Sequence, residues 1–147
     1  MGAALSRDDR RGRDEYRAWT RISLRWADND AYGHVNNTVY YQWFDSAVNG
    51  WLVGQRLLDI VAGDPIGLVV ATACDYFAPL VFPGAVDVGL AIEQLGTSSV
   101  TYRLGVFASD SDQPAAQGRF THVYVSRAER RPVPLPASSR AALEKLV

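Results

Sequence analysis

One short stretch of the sequence, residues 25–37, concentrates the side chains that could do chemistry. It reads RWADNDAYGHVNN and holds Asp28, Asp30 and His34, followed by Asn36 and Asn37. A carboxylate can attack a carbonyl carbon or take a proton from water, and histidine and amide groups can orient either reactant. Asp and Asn also cap helices and close turns. One cap needs only one of these residues, so the cluster favours a chemical role.

Other chemistries fit this stretch less well. A calcium loop that begins at Asp28 would place Val39 at its twelfth position, where a bidentate Glu is required. A transition-metal site has few further donors, since His122 is the second of two histidines and Cys74 is the sole cysteine. The Gly-x-Ser-x-Gly elbow of many hydrolases does not occur in the sequence. We therefore expect no metal and no cofactor.

The elements on either side of this stretch determine how its side chains are presented. Residues 16–26 alternate mostly apolar with polar side chains, which is the pattern of a half-buried strand. The segment that follows repeats apolar residues at helical spacing and predicts a helix that begins at Asn36 or Asn37 and ends near Gly54. The reactive stretch thus lies on a strand-to-helix turn. A helix start directs free N–H groups and a partial positive charge at whatever lies in front of it.

The rest of the chain predicts four further strands and a short terminal helix. The second strand is rich in small and β-branched residues and is expected at the centre of the sheet, and the next two form a hairpin. The four strands cover residues 68–76, 86–92, 100–106 and about 116–126, and the terminal helix covers 138–147. One apolar helix among strands joined mostly by short turns predicts an α+β fold, an antiparallel sheet of about five strands curled around one long helix.

Composition limits the class of protein. The chain has 147 residues, of which 48% are hydrophobic, enough for one core, so we expect a single domain over 16–147 after a disordered charged tail over 1–15. A net charge of -1 argues against a nucleic-acid-binding surface. The single Cys74 cannot form an internal disulfide, and no apolar run suits a membrane span or a secretory signal. We expect a cytoplasmic protein without a membrane or nucleic-acid partner.

The predicted sheet has a consequence for assembly. One helix covering about five strands leaves an edge strand whose backbone groups have no partner in the chain. Such edges are usually protected by pairing with a second copy. The sequence therefore predicts a homodimer or a homotetramer.

The reactive stretch and four later segments together resemble one known family. The run DNDAYGHVNNTVYY at 28–41 resembles the signature of hotdog-fold acyl-CoA thioesterases of the 4-hydroxybenzoyl-CoA thioesterase superfamily. Segments similar to those of the family follow in the same order: DYFAPL at 75–80, LGTSSV at 95–100, HVYV at 122–125 and RPVPLP at 131–136. The likeness covers about residues 16–146. It implies a hotdog fold and the hydrolysis of an acyl-CoA substrate.

The resemblance also implies roles for individual residues. It assigns Asp30 as the catalytic nucleophile or general base and leaves Asp28 structural. The backbone N–H of Asn37 would polarise the thioester carbonyl, in agreement with the helix-start argument. His34 and Asn36 fit the positioning of the carboxylate or the substrate, or else only satisfy buried backbone groups. Asp45 matches a family position that reaches the acyl end of the substrate, or else is a solvated helix residue, and helical spacing places Tyr41 one turn before it as a further substrate-binding residue. Tyr41 and Asp45 would border an acyl group that carries a hydroxyl or another hydrogen-bond donor.

Two points stay open at this stage. Some relatives carry basic residues on the hairpin turn for the phosphates of coenzyme A, whereas residues 96–99 offer only hydroxyls and amides. Phosphate binding would then fall to backbone N–H groups or to arginines such as Arg103 and Arg119, and an acyl carrier protein remains an alternative carrier. A hotdog protein that binds an acyl thioester without cleaving it is the alternative outside the enzymes.

Overall fold

The computed structural model describes residues 9–147 as one antiparallel sheet of five strands with two α-helices. In chain order the elements are β1 (Ala18–Ser23), α1 (Asn37–Gly54), β2 (Ile66–Tyr76), β3 (Ala85–Leu95), β4 (Ser99–Ala108), β5 (Ala116–Val125) and α2 (Ala137–Glu144). The strand order across the sheet is β1-β3-β4-β5-β2. The predicted α+β architecture is confirmed. The predicted hairpin is β3 with β4, and the predicted last strand and terminal helix correspond to β5 and α2.

Helix α1 packs its apolar side on one face of the sheet. It begins where the sequence predicted, because the Asn36 side chain accepts a hydrogen bond from the N–H of Thr38 at 2.9 Å. Phe44, at its centre, is fully buried, and Gly118 in β5 makes the room, since an added Cβ there would overlap the Phe44 ring. The buried residues of the helix are Val39, Tyr40, Trp43, Phe44, Ala47, Val48 and Leu52. This packing fixes the helix start relative to the sheet.

Strand β2 lies at an edge of the sheet, so its predicted central position is wrong. Among the described residues it pairs with β5 alone, and residues 68–73 are all exposed. Leu68, Val69 and Val70 are 38%, 49% and 59% exposed. The prediction assumed that a strand rich in small and β-branched residues is buried, whereas no described part of the chain covers residues 68–73. This apolar edge is the feature on which the predicted oligomer rests.

The start of the chain also differs from expectation. The predicted tail covers residues 1–15, of which 1–8 lie outside the described residues. Residues 9–15 lie against the outer face of the sheet, where the Arg13 guanidinium contacts the Asp87 carboxylate at 3.0 Å and the Gln117 side chain bonds the backbone of residues 9 and 11. Ion pairs and hydrogen bonds to side chains of the sheet can hold a polar segment in place. The composition of the segment does not show that such partners are present.

Candidate active site

The turn between β1 and α1 is closed by backbone hydrogen bonds. Asn29 and Val35 form an isolated antiparallel bridge, and the N–H of Asp30 donates to the carbonyl of His34 at 2.7 Å. Gly33 has a φ of 79°, in the left-handed region that glycine adopts without strain, and its N–H donates to the carbonyl of Asp30 at 3.1 Å. These hydrogen bonds therefore fix the backbone position of Asp30 within the turn.

Asp28 joins the end of the strand to the start of the helix. It is 1% exposed, and its carboxylate accepts hydrogen bonds from the backbone N–H of Arg25 at 2.8 Å and from the Arg25 guanidinium at 2.8 and 2.9 Å. Its carbonyl accepts from the N–H of Asn36 at 2.8 Å. The hydrogen bond to Asp28 raises the pKa of Arg25. With its carboxylate occupied in this way, Asp28 has a structural role.

Asp30 presents a carboxylate that is only partly occupied. Its Oδ1 accepts a hydrogen bond from the N–H of Tyr32 at 2.8 Å, and no other described residue donates to its side chain. It lies at a cavity of about 350 Å³ between the turn, the start of α1 and the end of β2. The residues that line the cavity are Asp30, His34, Val35, Asn37, Tyr40, Tyr76, Phe77, Ala78 and Pro79. Oδ2 is thus available to a bound molecule.

The start of α1 forms another wall of this cavity. The side-chain oxygen of Asn36 accepts a hydrogen bond from the N–H of Thr38, and the carbonyl of Asn36 accepts one from the N–H of Val39. The N–H of Asn37, the first helical residue, has no acceptor among the described residues. An N–H at that position, reinforced by the helix dipole, can stabilise negative charge on an oxygen.

Aromatic residues form the third wall and were not singled out from the sequence. The rings of Tyr40 and Tyr76 meet edge to face with centroids 4.9 Å apart. The Tyr76 hydroxyl donates to the carbonyl of Asn37 at 2.8 Å. Burial raises the pKa of Tyr40 to about 12, so its phenol is protonated at neutral pH. The sequence indicates a role for Tyr76 only through the family-like DYFAPL segment, because no local sequence pattern shows that this residue lies beside the start of α1.

The structure brings together some of the predicted site residues and separates others. Asp30, His34 and Asn37 line one cavity. Asn36 lies beside them, but its side-chain oxygen accepts from both the N–H and the hydroxyl of Thr38. Tyr41 and Asp45 do not line this cavity. Tyr41 is half-buried against Phe44, and the exposed Asp45 accepts a hydrogen bond from the Asn49 amide at 2.9 Å.

Several charged or reactive side chains do not line this cavity. Arg103 and Arg119 do not line it, since Arg103 donates to the carbonyl of Glu15 at 3.2 Å and Arg119 contacts the Glu93 carboxylate at 2.5 Å. Arg10 lies over the ring of Phe77, one of the lining residues, with 4.0 Å from its guanidinium carbon to the ring centroid. Burial raises the pKa of the Cys74 thiol to about 12, so a thiolate nucleophile is not available there.

Residues 9–147 hold no group of three or more His, Cys, Asp or Glu side chains placed to bind a metal ion. Neither α-helix in this part of the chain is long and apolar enough to cross a membrane.

Comparison with known proteins agrees with this geometry. The chain belongs to the thioesterase-like superfamily, whose family model matches residues 24–143. It is similar to the solved PA5185 protein of Pseudomonas aeruginosa strain PAO1, with 49% identity, a TM-score of 0.89, and coverage of 93% of this chain and 96% of that one. The predicted hotdog fold and thioesterase family are confirmed. Among curated proteins, no match was found.

A second solved relative has a named activity. It is a 1,4-dihydroxy-2-naphthoyl-CoA thioesterase from Synechocystis, 26% identical to this chain with a TM-score of 0.79. The match covers 87% of this chain and 96% of that protein. Membership of this family supports thioester hydrolysis as the general reaction class.

Proposed function

We propose that the protein hydrolyses an acyl-CoA thioester to a free acid and coenzyme A, with Asp30 as nucleophile or general base. One observation carries this proposal: a carboxylate with an unoccupied oxygen and a helix-start N–H without an acceptor line the same cavity. These are the two groups that acyl transfer requires, one to supply the attack and one to stabilise the oxyanion.

The reaction follows from how these groups meet a thioester. The carbonyl oxygen lies against the N–H of Asn37, where the helix dipole stabilises the negative charge that develops during attack. Asp30 either attacks the carbonyl carbon, giving an anhydride that water then cleaves, or removes a proton from a water that attacks directly. In both routes the carbon–sulfur bond breaks and the thiolate of the carrier leaves. His34 contacts the substrate at the cavity edge, and Asn36 acts mainly by capping the helix.

Coenzyme A is the proposed carrier. The relative from Synechocystis acts on a CoA thioester, and the guanidinium of Arg10 lies over the ring of Phe77, a lining residue of the cavity, where it can attract a phosphate of the carrier. Tyr41 and Asp45 are not among the residues that line the Asp30 cavity, although Tyr41 interacts with Tyr76, which does. Their proposed role is contact with a hydroxyl or other hydrogen-bond donor on the acyl group, across a subunit interface formed through β2.

The test is Asp30→Asn, which keeps the size of the side chain and removes its charge. Thiol release from a panel of short, branched and aromatic acyl-CoAs should fall by about 10²–10⁴-fold in kcat/KM, the range for loss of a general base. Asp110→Asn, an exposed aspartate on the β4–β5 loop, is the matched control and should match the parent. Activity of Asp30→Asn within a few fold of the parent would refute the assignment. Binding of acyl-CoA without release would instead identify a non-catalytic binding protein.

A further inference from the structure

A second cavity lies along the far half of α1. Its volume is about 290 Å³, and its lining includes Asn49, Gly67, His122 and Tyr124. No residue lines both this cavity and the Asp30 cavity. Asn49 lies twelve residues beyond Asn37 in the helix, about 18 Å at a rise of about 1.5 Å per residue. Within one chain the two cavities are therefore separate.

The buried imidazole of His122 is the unusual feature of this cavity. The side chain is 3% exposed and points from β5 toward α1 among aromatic rings, with the Phe120 ring 5.0 Å away. Its Nδ1 is buried and has no hydrogen-bond partner among the described residues. Burial lowers the pKa of His122 to about 4, against the opposing charge of Asp45, so the ring is neutral at pH 7. A buried polar atom without a partner costs stability and calls for a reason.

Gly67 lies against this atom. An added Cβ at this position would lie 3.3 Å from Cγ and Nδ1 of His122 and 3.4 Å from Cζ of Tyr124. The φ of Gly67 lies outside the left-handed region, so the backbone does not require glycine here. The absence of a side chain leaves a narrow gap against the imidazole, which one methyl group would more than fill, at less than the ordinary van der Waals distance.

We propose that this cavity receives the acyl end of the substrate and holds a neutral hydrogen-bonding group against His122, which makes His122 and Gly67 specificity-determining residues. This inference rests on the proposed thioesterase function. A neutral imidazole offers one donor and one acceptor, which suit a hydroxyl or carbonyl group rather than a carboxylate. A cavity of about 150 Å³ can hold a benzene ring, so about 290 Å³ accommodates one substituted ring or a short branched chain.

The edge of β2 explains how such a cavity can serve a reaction at Asp30. The C-terminal end of β2, at Tyr76, lines the Asp30 cavity, and its N-terminal end, at Ile66 and Gly67, lines the His122 cavity. A two-fold axis perpendicular to the sheet that pairs two copies through β2 makes the two strands antiparallel. The C-terminal end of one copy then lies beside the N-terminal end of the other. A thioester at Asp30 of one subunit would extend its acyl end into the His122 cavity of the second.

The first test compares 3-hydroxybenzoyl-CoA with 3-methylbenzoyl-CoA, which have similar shapes and differ in the hydroxyl. The parent should prefer the hydroxylated substrate by roughly 5- to 10-fold in kcat/KM, the worth of one neutral hydrogen bond. In His122→Phe the preference should fall to about one, while the melting temperature stays equal or rises because the unpartnered nitrogen is gone. Equal losses on both substrates with a lower melting temperature would show a merely structural role and overturn the proposal.

The second test fills the cavity. Gly67→Ala should lower kcat/KM for both aromatic substrates by roughly tenfold or more while leaving acetyl-CoA, whose acyl group does not reach the cavity, within about twofold. Gly50→Ala is the matched control, since an added Cβ there meets nothing within 4 Å. Unchanged activity of Gly67→Ala on the aromatic substrates would overturn the proposal.

A third measurement needs no catalysis. The chain has two histidines, and the imidazole NMR signal that disappears in His122→Phe belongs to His122. Phenol at millimolar concentration should shift this signal in the parent more than toluene does, and should leave it unmoved in Gly67→Ala. If the parent cleaves no thioester but phenol shifts the signal, the thioesterase function fails and the cavity as a binding site stands. No shift in the parent would overturn the cavity itself.

Discussion

The hydroxyl of Tyr76 donates a hydrogen bond of 2.8 Å to the carbonyl of Asn37. It joins the last residue of the edge strand β2 to the first residue of α1, two residues that are 39 positions apart in the chain. The bond holds the helix start against the cavity that also contains Asp30. The N–H of Asn37 has no acceptor among the described residues, and we propose that it binds the thioester oxygen.

Asn37→Pro tests that N–H directly. Proline at the first helical position is tolerated, and Asn36 already has the extended ψ of 139° that a residue before proline prefers. The variant should therefore fold with a melting temperature close to that of the parent but lose about 10²–10³-fold in kcat, the usual effect of removing one oxyanion donor. Asn37→Ala keeps the N–H and serves as the control. Full activity of the proline variant would mean that another group stabilises the oxyanion.

Asn36 was predicted both as a candidate start of α1 and as a substrate-binding residue, and its side chain caps the helix. Replacing the cap by alanine should lower the free energy of unfolding by about 1 kcal/mol, because the N–H of Thr38 loses its acceptor. Asn36→Asp retains an acceptor and should restore stability and activity together. Denaturant unfolding and kcat/KM, measured on both variants, separate the two roles. A stable Asn36→Asp protein with poor KM would instead support substrate contact by the amide.

The sequence was informative where chemistry and local structure coincide. The start of α1 was predictable because an Asn cap and helical apolar spacing are both local signals, and the turn could be placed for the same reason. The assignment of Asp30 as catalytic and of Asp28 as structural came only from the resemblance to the family. The structure supplies its physical basis: Asp28 is enclosed by Arg25, while Asp30 keeps an open oxygen.

Other features depended on contacts between distant parts of the chain. Tyr76 reaches Asn37 only because β2 runs beside the helix start, and the gap at Gly67 exists only because β2 and β5 pair in one register. Strand β2 was misplaced for a related reason. Its composition indicates burial, but burial depends on what covers the strand, which no residue of β2 specifies.

The exposed edge of β2 leads to a prediction about assembly. Val70→Lys places a charge on a residue that is 59% exposed at this edge, and a charge there should block pairing of two sheets. The parent should be a homodimer or homotetramer by light scattering, and the variant a monomer with activity reduced at least tenfold. Val53→Lys, at a residue 50% exposed on α1, is the control and should keep the assembly. A parent that is monomeric and fully active would refute both the pairing and a site shared between subunits.

His122 makes the stability of the protein depend on pH in a defined window. Burial lowers its pKa to about 4, below the value of 6.5 for an exposed histidine. Between these two pH values the imidazole is therefore mostly protonated in the unfolded chain and mostly neutral in the folded chain. Unfolding is therefore favoured as the pH falls from about 6.5 to about 4, and above that window His122 makes no pH-dependent contribution. The difference of about 2.5 in pKa corresponds to at most about 3 kcal/mol. Urea unfolding at pH 7.5 and pH 4.5 should show this loss in the parent, superimposed on that of the carboxylates, and His122→Phe should lack the histidine component. If the parent and His122→Phe lose the same stability between these pH values, the imidazole is not held neutral in the folded protein.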